Sequence, residues 1–269
     1  MKTTDMSEIS QAEAQPLVLV TRAGLVTTLT LNRGEQLNAL SEQMIAALQE
    51  QFNSLSRDSA TRVIILAAAG KAFCAGHDLK QMRAAPSEQY YKTLFDRCSK
   101  LMLAIQRLPQ PVIARVQGIA TAAGCQLVSM CDLAVASDNA KFAVSGINFG
   151  LFCSTPAVGL SRNVSRKQAM EMLLTGEFID AQTALQRGLV NRVVTLELLD
   201  SEIEKLAASI VSKPPKAVAI GKQLFYKQLE TGIDAAYQLA GQTMACNMMD
   251  EVALEGVQAF IEKRAPDRK

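Results

Sequence analysis

The chain of 269 residues has no tryptophan, a single histidine and almost no excess of charge. With His77 as the only histidine, a metal site built from several histidines is excluded, and a Ser-His-Asp triad would have to use this one residue. The 28 Lys and Arg residues nearly balance the 26 Asp and Glu residues, which gives a formal net charge of +2. This balance argues against a nucleic-acid-binding surface, which needs a strong basic excess on one face.

Long apolar runs are also missing, since none reaches the roughly 20 residues that a membrane-spanning helix needs, and we expect no membrane partner. The first 15 residues are polar and contain three acidic side chains. They lack both the apolar stretch of a secretory signal and the Arg-rich composition of a transit peptide. The sequence therefore predicts a cytoplasmic protein with a disordered tip over residues 1–16.

The six cysteines show no Cys-x-x-Cys spacing, which argues against a zinc site or a redox couple. They lie mostly inside apolar runs, so we expect reduced residues that pack in the core. These cysteines are Cys74, Cys98, Cys125, Cys131, Cys153 and Cys246.

With 49% hydrophobic residues, the chain can bury a full core. Helical spacing of apolar residues predicts one helix from Ser41, its N-cap, to Leu55 and another over residues 90–108. Strands alternate with these helices, which predicts an α/β core. Alternating or continuous apolar residues predict a hairpin and three buried strands, at residues 17–31, 62–67, 111–116 and 132–136.

From Arg166 onward the pattern is mostly helical and the strands fade. We expect an α/β core over residues 17–195 and a helical region over residues 196–269 that acts as a lid or joins copies of the chain. Met244, Met248 and Met249 would give this region adaptable apolar surface, and ordinary core packing explains them equally well. The predicted helices are 167–174, 180–187, 196–212, 215–229 and 232–264.

Two segments rich in small residues, 71–79 and 117–127, each follow a β-like run and precede helix-favouring sequence. Small residues let backbone N–H groups face a ligand, and helix N-termini carry unsatisfied donors. Two donors from different segments could hold one thioester oxygen, on which charge develops during reaction. Alternatively, each turn only packs its helix closely. A nucleotide site ranks low, because neither segment is Gly-x-Gly-x-x-Gly or a P-loop.

Four segments in the right order closely resemble the crotonase (enoyl-CoA hydratase/isomerase) family, and the resemblance extends over residues 17–264. It implies a ClpP-like α/β fold, in which a spiral of β-β-α units forms two roughly perpendicular sheets. A C-terminal helical region would follow and build a homotrimer, often paired into a hexamer as a dimer of trimers. The four segments are residues 31–40, 71–79, 117–127 and 171–190.

The resemblance places an oxyanion hole at the backbone N–H groups of His77 and Ala123. Ala123 stands where the family usually has glycine, so it requires a negative φ or tolerated strain. An acid or base role for the His77 side chain is a separate hypothesis, since one histidine can merely pack or cap. Acyl-CoA would be the bound partner, with coenzyme A as part of the substrate and no further cofactor or metal. The implied substrate and CoA contacts are Gln36, Leu37, Ala75, Gly76, His77, Asp78, Leu79, Lys80, Ala122, Ala123 and Lys263, the two lysines serving the phosphates.

Hydratases of this family place two glutamates over the substrate, and residue-by-residue comparison puts Gln126 and Gly146 at these positions. One glutamate activates water and the other delivers a proton to the α-carbon, which neither replacement can do near neutral pH. Because each such group contributes on the order of 10²–10⁴-fold, we predict weak or absent hydratase activity. Residues 148–156 also depart from the family's glycine-rich turn. The resemblance is greatest to the enoyl-CoA hydratase domain-containing proteins, a subgroup without the glutamate pair.

Two classes of function follow from these observations. The first is an acyl-CoA enzyme of fatty acid metabolism, by family a lyase of the enoyl-CoA hydratase type. Thioester hydrolysis and decarboxylation belong to the same class, because they need only carbonyl polarisation and a base from elsewhere. The second is a non-catalytic regulator that binds acyl-CoA, or a protein partner through its C-terminal helices. The absence of acids at Gln126 and Gly146 favours the second.

Overall fold

The computed structural model describes residues 15–267, so the predicted tip lies outside the described residues except for Gln15 and Pro16. Within this range the chain forms ten strands, which make two sheets. The strands are Val18–Ala23 (β1), Val26–Leu31 (β2), Val63–Ala68 (β3), Ala72–Cys74 (β4), Val112–Val116 (β5), Ile119–Thr121 (β6), Leu133–Ser137 (β7), Lys141–Ala143 (β8), Ile179–Asp180 (β9) and Arg192–Val194 (β10).

Eleven α-helices lie in the described part of the chain, and none of them is long and apolar enough to cross a bilayer. Short 3-10 turns at Gly34–Gln36, Ser145–Phe149 and Leu196–Leu198 supplement them. The helices are Glu42–Leu55 (α1), Leu79–Ala84 (α2), Glu88–Arg107 (α3), Ala123–Met130 (α4), Ser154–Leu160 (α5), Arg166–Thr175 (α6), Ala181–Gln186 (α7), Leu199–Val211 (α8), Pro215–Leu229 (α9), Ile233–Met248 (α10) and Glu251–Ile261 (α11).

The larger sheet has the strand order β1-β2-β3-β5-β7-β10 and is parallel except for the β1–β2 hairpin. Its central strand β3 is buried along its whole length. Ile65 packs with Leu199 and Ile203 of α8 on one face, whereas Ile64 and Leu66 join the main core on the other. Burial on both faces explains why this strand reads as a continuous apolar run rather than an alternating one.

The smaller sheet has the order β4-β6-β8-β9, with β9 antiparallel to its neighbour β8. Each of its first three strands directly follows a strand of the larger sheet, in the pairs β3–β4, β5–β6 and β7–β8. A helix comes after each pair. This repeated strand-strand-helix unit confirms the predicted crotonase-type α/β fold, and it brings the ends of β4, β6 and β8 together at one edge.

The local predictions are confirmed in part. The hairpin is present, and the Ser41 hydroxyl caps α1 by accepting a hydrogen bond from the Met44 N–H at 3.1 Å. The expectation that strands fade after Arg166 is wrong for β9 and β10, which are too short for a clear pattern. The predicted helix over 232–264 is in fact two helices, because Asp250 caps α11 and interrupts the run.

The predicted burial of the cysteines needs one correction, and the structure distinguishes between the two alternatives for the C-terminal methionines. Five cysteines are buried, but Cys246 on α10 is exposed. Met244 and Met249 are 71% and 75% exposed in the single chain, so they do not pack in an intramolecular core.

A buried ion pair fastens α9 to the core. The Lys222 ammonium lies 2.6 Å from the Asp132 carboxylate and donates to the main-chain carbonyls of Ile105 and Gln110, both at 2.9 Å. Burial lowers the pKa of Lys222, and the Asp132 charge opposes this shift. The Tyr226 hydroxyl donates to the second Asp132 oxygen at 2.9 Å. Every donor of the ammonium is therefore satisfied, which indicates a structural lysine.

Removing the acid of this pair should destabilise the fold. Asp132→Asn leaves the Lys222 charge buried without a counterion, so the free energy of unfolding should fall by about 3–5 kcal/mol. Urea denaturation measures this change. Asp96→Asn is the matched control, because its pair with Lys100 is exposed, with side chains 59% and 69% accessible, and should cost at most about 1 kcal/mol. Equal effects of the two substitutions would contradict the assignment.

Candidate active site

The turns after β4 and β6 touch through their backbones. Gly76 has φ +93, and a Cβ on it would lie 2.9 Å from the Ala122 Cβ and 3.4 Å from the Ala123 nitrogen. The approach at Gly124 is closer still, because a Cβ added there would lie 2.0 Å from the carbonyl oxygen of Cys74. Only glycine permits these approaches. The His77 and Ala123 peptides consequently lie on adjoining loops.

Both of these backbone N–H groups are free within the described residues. The first main-chain hydrogen bond of α4 runs from the Gln126 N–H to the Ala122 carbonyl, which leaves the Ala123 N–H at the open helix N-terminus. The His77 N–H likewise donates to no other described residue. Two unpaired donors on adjoining loops are the arrangement that an oxygen gaining negative charge requires.

The backbone strain that the sequence predicts at Ala123 is found at Ala122 instead. Ala123 is the first residue of α4 and has helical conformation, whereas Ala122 adopts φ 50 and ψ −119. A side chain in such a conformation costs on the order of 1–3 kcal/mol and persists only where surrounding structure enforces it. The close approach of Gly76 supplies that enforcement.

The segment that contains the Gln36–Leu37 turn is hydrogen-bonded to the loop that precedes His77. The Leu37 carbonyl accepts from the Ala75 N–H at 3.0 Å, and the Leu40 N–H donates to the Gly76 carbonyl at 2.7 Å. Buried Asn38 holds the turn by donating to the carbonyls of Ala69 and Ala72. Sequence reasoning missed Asn38, although it lies within the recognised segment 31–40.

A cleft of about 1030 Å³ lies beside this turn and is lined by residues 32–37 and 69–71. It contains two cations, Arg33 and Lys71, that sequence reasoning did not select although both lie within recognised segments. Of the predicted cations, Lys80 is exposed in the first turn of α2. Lys263 follows α11, and no hydrogen bond or ion pair joins it to these loops within residues 15–267.

Asp78 and Leu79 begin α2 beside the site. The Asp78 carboxylate accepts hydrogen bonds from the Lys80 and Gln81 N–H groups at 3.0 and 3.1 Å. Asp78 is therefore the N-cap of α2, and both capping hydrogen bonds use its Oδ1 atom. Leu79 is 57% exposed.

The His77 ring packs edge-on against Phe95 of α3, with ring centroids 5.6 Å apart. Neither ring nitrogen makes a hydrogen bond of normal geometry in the described chain, although the Leu40 main chain lies close enough to the ring to raise its pKa slightly against the effect of burial. Burial lowers the pKa of His77, so the imidazole is neutral at pH 7. No carboxylate contacts it, and an acid or base role stays a hypothesis.

Gln126 lies three residues after Ala123, on the same face of α4. Its residue is 4% exposed, and its Oε1 atom has no hydrogen-bond partner among residues 15–267. Side chains in a helix generally lean toward its N-terminus, which is the end of α4 where Ala123 lies. A ligand or water at the site can satisfy it.

At Gly146, the second position where the family has a glutamate, there is no room for a side chain. A Cβ at Gly146 would lie 2.5 Å from the Leu151 carbonyl oxygen and 2.8 Å from the Cys153 Sγ. The Gly146 N–H donates to the same sulfur at 3.3 Å. Nearby, the hydroxyls of Ser145 and Thr121 lie 2.9 Å apart. Leu151 and Cys153 thus occupy the space that a side chain at position 146 would need.

The described residues also contain no group of three or more His, Cys, Asp or Glu side chains that could hold a metal ion. Polar groups at this edge include main-chain amides, the Gln126 carboxamide, the neutral His77 imidazole, the Asp78 carboxylate, the hydroxyls of Ser145 and Thr121, and the Cys153 thiol.

Comparison with known proteins gives consistent results. The model of the Enoyl-CoA hydratase/isomerase family matches residues 21–269. Enoyl-CoA hydratase domain-containing protein 3 of Xenopus laevis is 45% identical over 96% of this chain and 87% of the relative. A solved enoyl-CoA hydratase of Mycobacterium smegmatis is 65% identical, with TM-score 0.93 over 94% of this chain and 99% of that one. Human enoyl Coenzyme A hydratase domain-containing protein 3 is 42% identical, with TM-score 0.90 over 94% and 100% of the two chains.

The predicted cytoplasmic location is wrong by these comparisons. Relatives from Xenopus laevis, rat, mouse and human at 44% to 45% identity are all named mitochondrial proteins. The prediction rested on the composition of residues 1–15. The composition of a terminal segment does not report the compartment in which the fold operates.

The close contact at Gly124 predicts that alanine substitution has opposite effects on stability at two helix glycines. Gly124→Ala places a methyl group against the Cys74 carbonyl, so it should cost at least about 1–3 kcal/mol of stability and separate the two amides. Gly221→Ala on α9 meets nothing within 4 Å and should stabilise by about 0.5–1 kcal/mol. Thermal unfolding of both variants tests this expectation. Similar melting temperatures would contradict the contact.

Proposed function

Because the chain belongs to the enoyl-CoA hydratase/isomerase family, we propose that it binds acyl-CoA thioesters and polarises their carbonyl between two main-chain amides. The pair of free N–H groups at His77 and Ala123 carries this proposal. A thioester oxygen gains negative charge when the carbonyl carbon or the α-carbon reacts, and preorganised donors stabilise that charge.

The cleft beside Gln36 and Leu37 would take the nucleotide part of coenzyme A. Its phosphates need local cations, because the chain as a whole is nearly neutral. Arg33 and Lys71 line the cleft and meet that need. Lys80 is a further candidate on the acyl side.

Hydration by the two-glutamate route should be weak or absent. Gln126 preserves the volume of a glutamate but has no usable pKa. Gly146 offers neither a carboxylate nor room for one. Chemistry that needs only a polarised carbonyl, such as thioester hydrolysis or decarboxylation, is compatible with these residues. A non-catalytic acyl-CoA-binding role is the second candidate, and the closed backbone at Gly146 favours it.

Copies of the chain would assemble through the C-terminal helices, as a homotrimer or a dimer of trimers. Several large apolar side chains there are at least 70% exposed in the single chain. Large apolar side chains exposed together often mark a protein–protein contact. In such an assembly, Lys263 would bind a phosphate of coenzyme A in the site of a neighbouring copy. This would account for its lack of contact with the site loops of its own chain. The exposed side chains are Ile233, Tyr237, Met244, Met249 and Phe260.

Titration calorimetry with butyryl-CoA tests the binding proposal, and saturable binding is expected. Loss of one charge-assisted contact to phosphate in Lys71→Ala should cost about 1.5–3 kcal/mol, or roughly tenfold or more in affinity. Lys205→Ala is the matched control, because Lys205 is 71% exposed on α8 and pairs only with Glu202. Its affinity should equal that of the wild type. No binding by the wild type would remove the proposal.

Crotonyl-CoA hydration, followed by loss of the enoyl absorbance, tests the role of the missing acids. The wild type should be slow, and Gln126→Glu should gain at most on the order of 10²–10⁴-fold, the contribution of one acid–base group. Gly146→Glu should instead destabilise the protein, since its Cβ meets the Leu151 carbonyl. Brisk hydration by the wild type would show that the two glutamates are not needed.

A further inference from the structure

Asn38 connects the two segments that line the cleft beside the Gln36–Leu37 turn. It is fully buried, with 0% of its surface exposed. Its Nδ2 atom donates hydrogen bonds to the carbonyls of Ala69 at 2.8 Å and Ala72 at 2.9 Å, and its Oδ1 atom accepts one from the Arg33 N–H at 2.9 Å. Arg33 lies on one wall of the cleft and Ala69 on the other. One carboxamide therefore holds both walls.

The turn over residues 33–38 is closed by reciprocal hydrogen bonds between Arg33 and Asn38. The Asn38 N–H donates to the Arg33 carbonyl at 2.9 Å, while the Asn38 side chain accepts from the Arg33 N–H. Both polar groups of the Arg33 main chain are thus bonded to one residue. In the described chain, the Arg33 guanidinium makes only two long hydrogen bonds of 3.5 Å, to main-chain carbonyls. Its backbone is fixed, whereas its charge stays available to an anion in the cleft.

The backbone of this turn is strained, which is an independent sign of function. Leu37 and Asn38 both have φ 52. Residues other than glycine seldom adopt this left-handed region, although asparagine does so more readily than leucine. Such conformations persist only where surrounding contacts enforce them, and they are concentrated at binding and catalytic sites. The hydrogen bonds of Asn38 provide the enforcement here.

The same segment continues into contact with the loop that carries His77. The Leu37 carbonyl accepts from the Ala75 N–H at 3.0 Å, and the Leu40 N–H donates to the Gly76 carbonyl at 2.7 Å. Leu40 also forms an isolated parallel bridge with His77. The wall of the cleft and the loop before the amide pair are consequently one hydrogen-bonded unit.

A second carboxamide holds the other wall without reaching the turn. The Gln117 Nε2 atom donates to the carbonyls of Ala68, Gly70 and Ala72 at 2.9, 3.0 and 3.1 Å. These bonds would keep the loop after β3 in place in a variant at position 38. The specific contribution of Asn38 is therefore to the position of the turn.

We propose that Asn38 is a positioning residue for acyl-CoA, because it places Arg33 at the wall of the cleft where a phosphate of coenzyme A binds. The inference rests on the proposed function, which assigns this cleft to the nucleotide part of coenzyme A. Asn38 is buried and does not touch the ligand. It acts on affinity through the backbone of Arg33.

Titration calorimetry with butyryl-CoA on Asn38→Gly tests this role. Glycine accepts the positive φ without strain and removes only the side-chain hydrogen bonds. The affinity should fall about tenfold or more, as for the loss of one charge-assisted contact to phosphate. Gln110→Ala is the matched control, since Gln110 is 6% exposed and its Nε2 likewise donates to two main-chain carbonyls, at 2.8 and 2.9 Å, away from the cleft. It should lose stability in urea denaturation and keep the wild-type affinity.

A double-mutant cycle separates positioning from a general loss of structure. Because Asn38 acts through Arg33, the variant that combines Arg33→Ala with Asn38→Gly should bind butyryl-CoA as weakly as Arg33→Ala alone. The affinity of Asn38→Gly should also depend less on salt than that of the wild type, since one ionic contact is lost. Wild-type affinity in Arg33→Ala would overturn the proposal even if Asn38→Gly did not fold.

The outcomes separate the two proposals. If the wild type binds butyryl-CoA and Asn38→Gly binds it equally well, the role of Asn38 is overturned and the proposed function stands. Multiplying effects of the Arg33 and Asn38 substitutions also overturn the role, because they would show independent action. An equal loss of affinity in Gln110→Ala overturns it as well, since it would report reduced stability alone. If the wild type does not bind butyryl-CoA, the proposed function fails and the role of Asn38 fails with it.

Discussion

The close backbone approach of two strand-turn-helix segments is the constraint on which the site depends. Three glycines permit it. A Cβ at Gly118 would lie 2.1 Å from the Lys71 carbonyl, one at Gly124 would lie 2.0 Å from the Cys74 carbonyl, and Gly76 meets Ala122. Without these contacts the turns after β4 and β6 would separate, and the His77 and Ala123 amides would no longer lie on adjoining loops. The positive φ of Ala122 is a local cost of the same contact.

The rest of the fold keeps this junction in place. The larger sheet is covered on both faces, by α8 on one side and by the main core on the other, so its strands offer a rigid base for the shorter strands. Asn38 ties the Gln36–Leu37 turn to the chain between β3 and β4. The ion pair between Lys222 and Asp132 connects α9 to the core. This fixes the position from which α10 and α11 continue.

The two positions that lack acids have changed in different ways. Gln126 has a polar side chain of glutamate size that is buried, and its Oε1 has no hydrogen-bond partner among the described residues. At Gly146 the backbone itself has closed, with Leu151 and Cys153 in the space of a side chain. Under the proposed function, the site would therefore polarise a carbonyl but have little capacity for proton transfer at these two positions.

The sequence alone was sufficient for the fold class, the long helices and central strands, and the segments that build the site. These features are local, because apolar periodicity, an N-cap such as Ser41 and small-residue turns are visible within a few residues. It did not reveal the two-residue β9, the break before Asp250, or the cations Arg33 and Lys71. Tertiary structure alone decided that Ala122 carries the positive φ, that Gly146 is closed by Leu151, and that Lys222 pairs with Asp132. Each of these depends on contacts between segments distant in the chain, whose geometry no local pattern encodes.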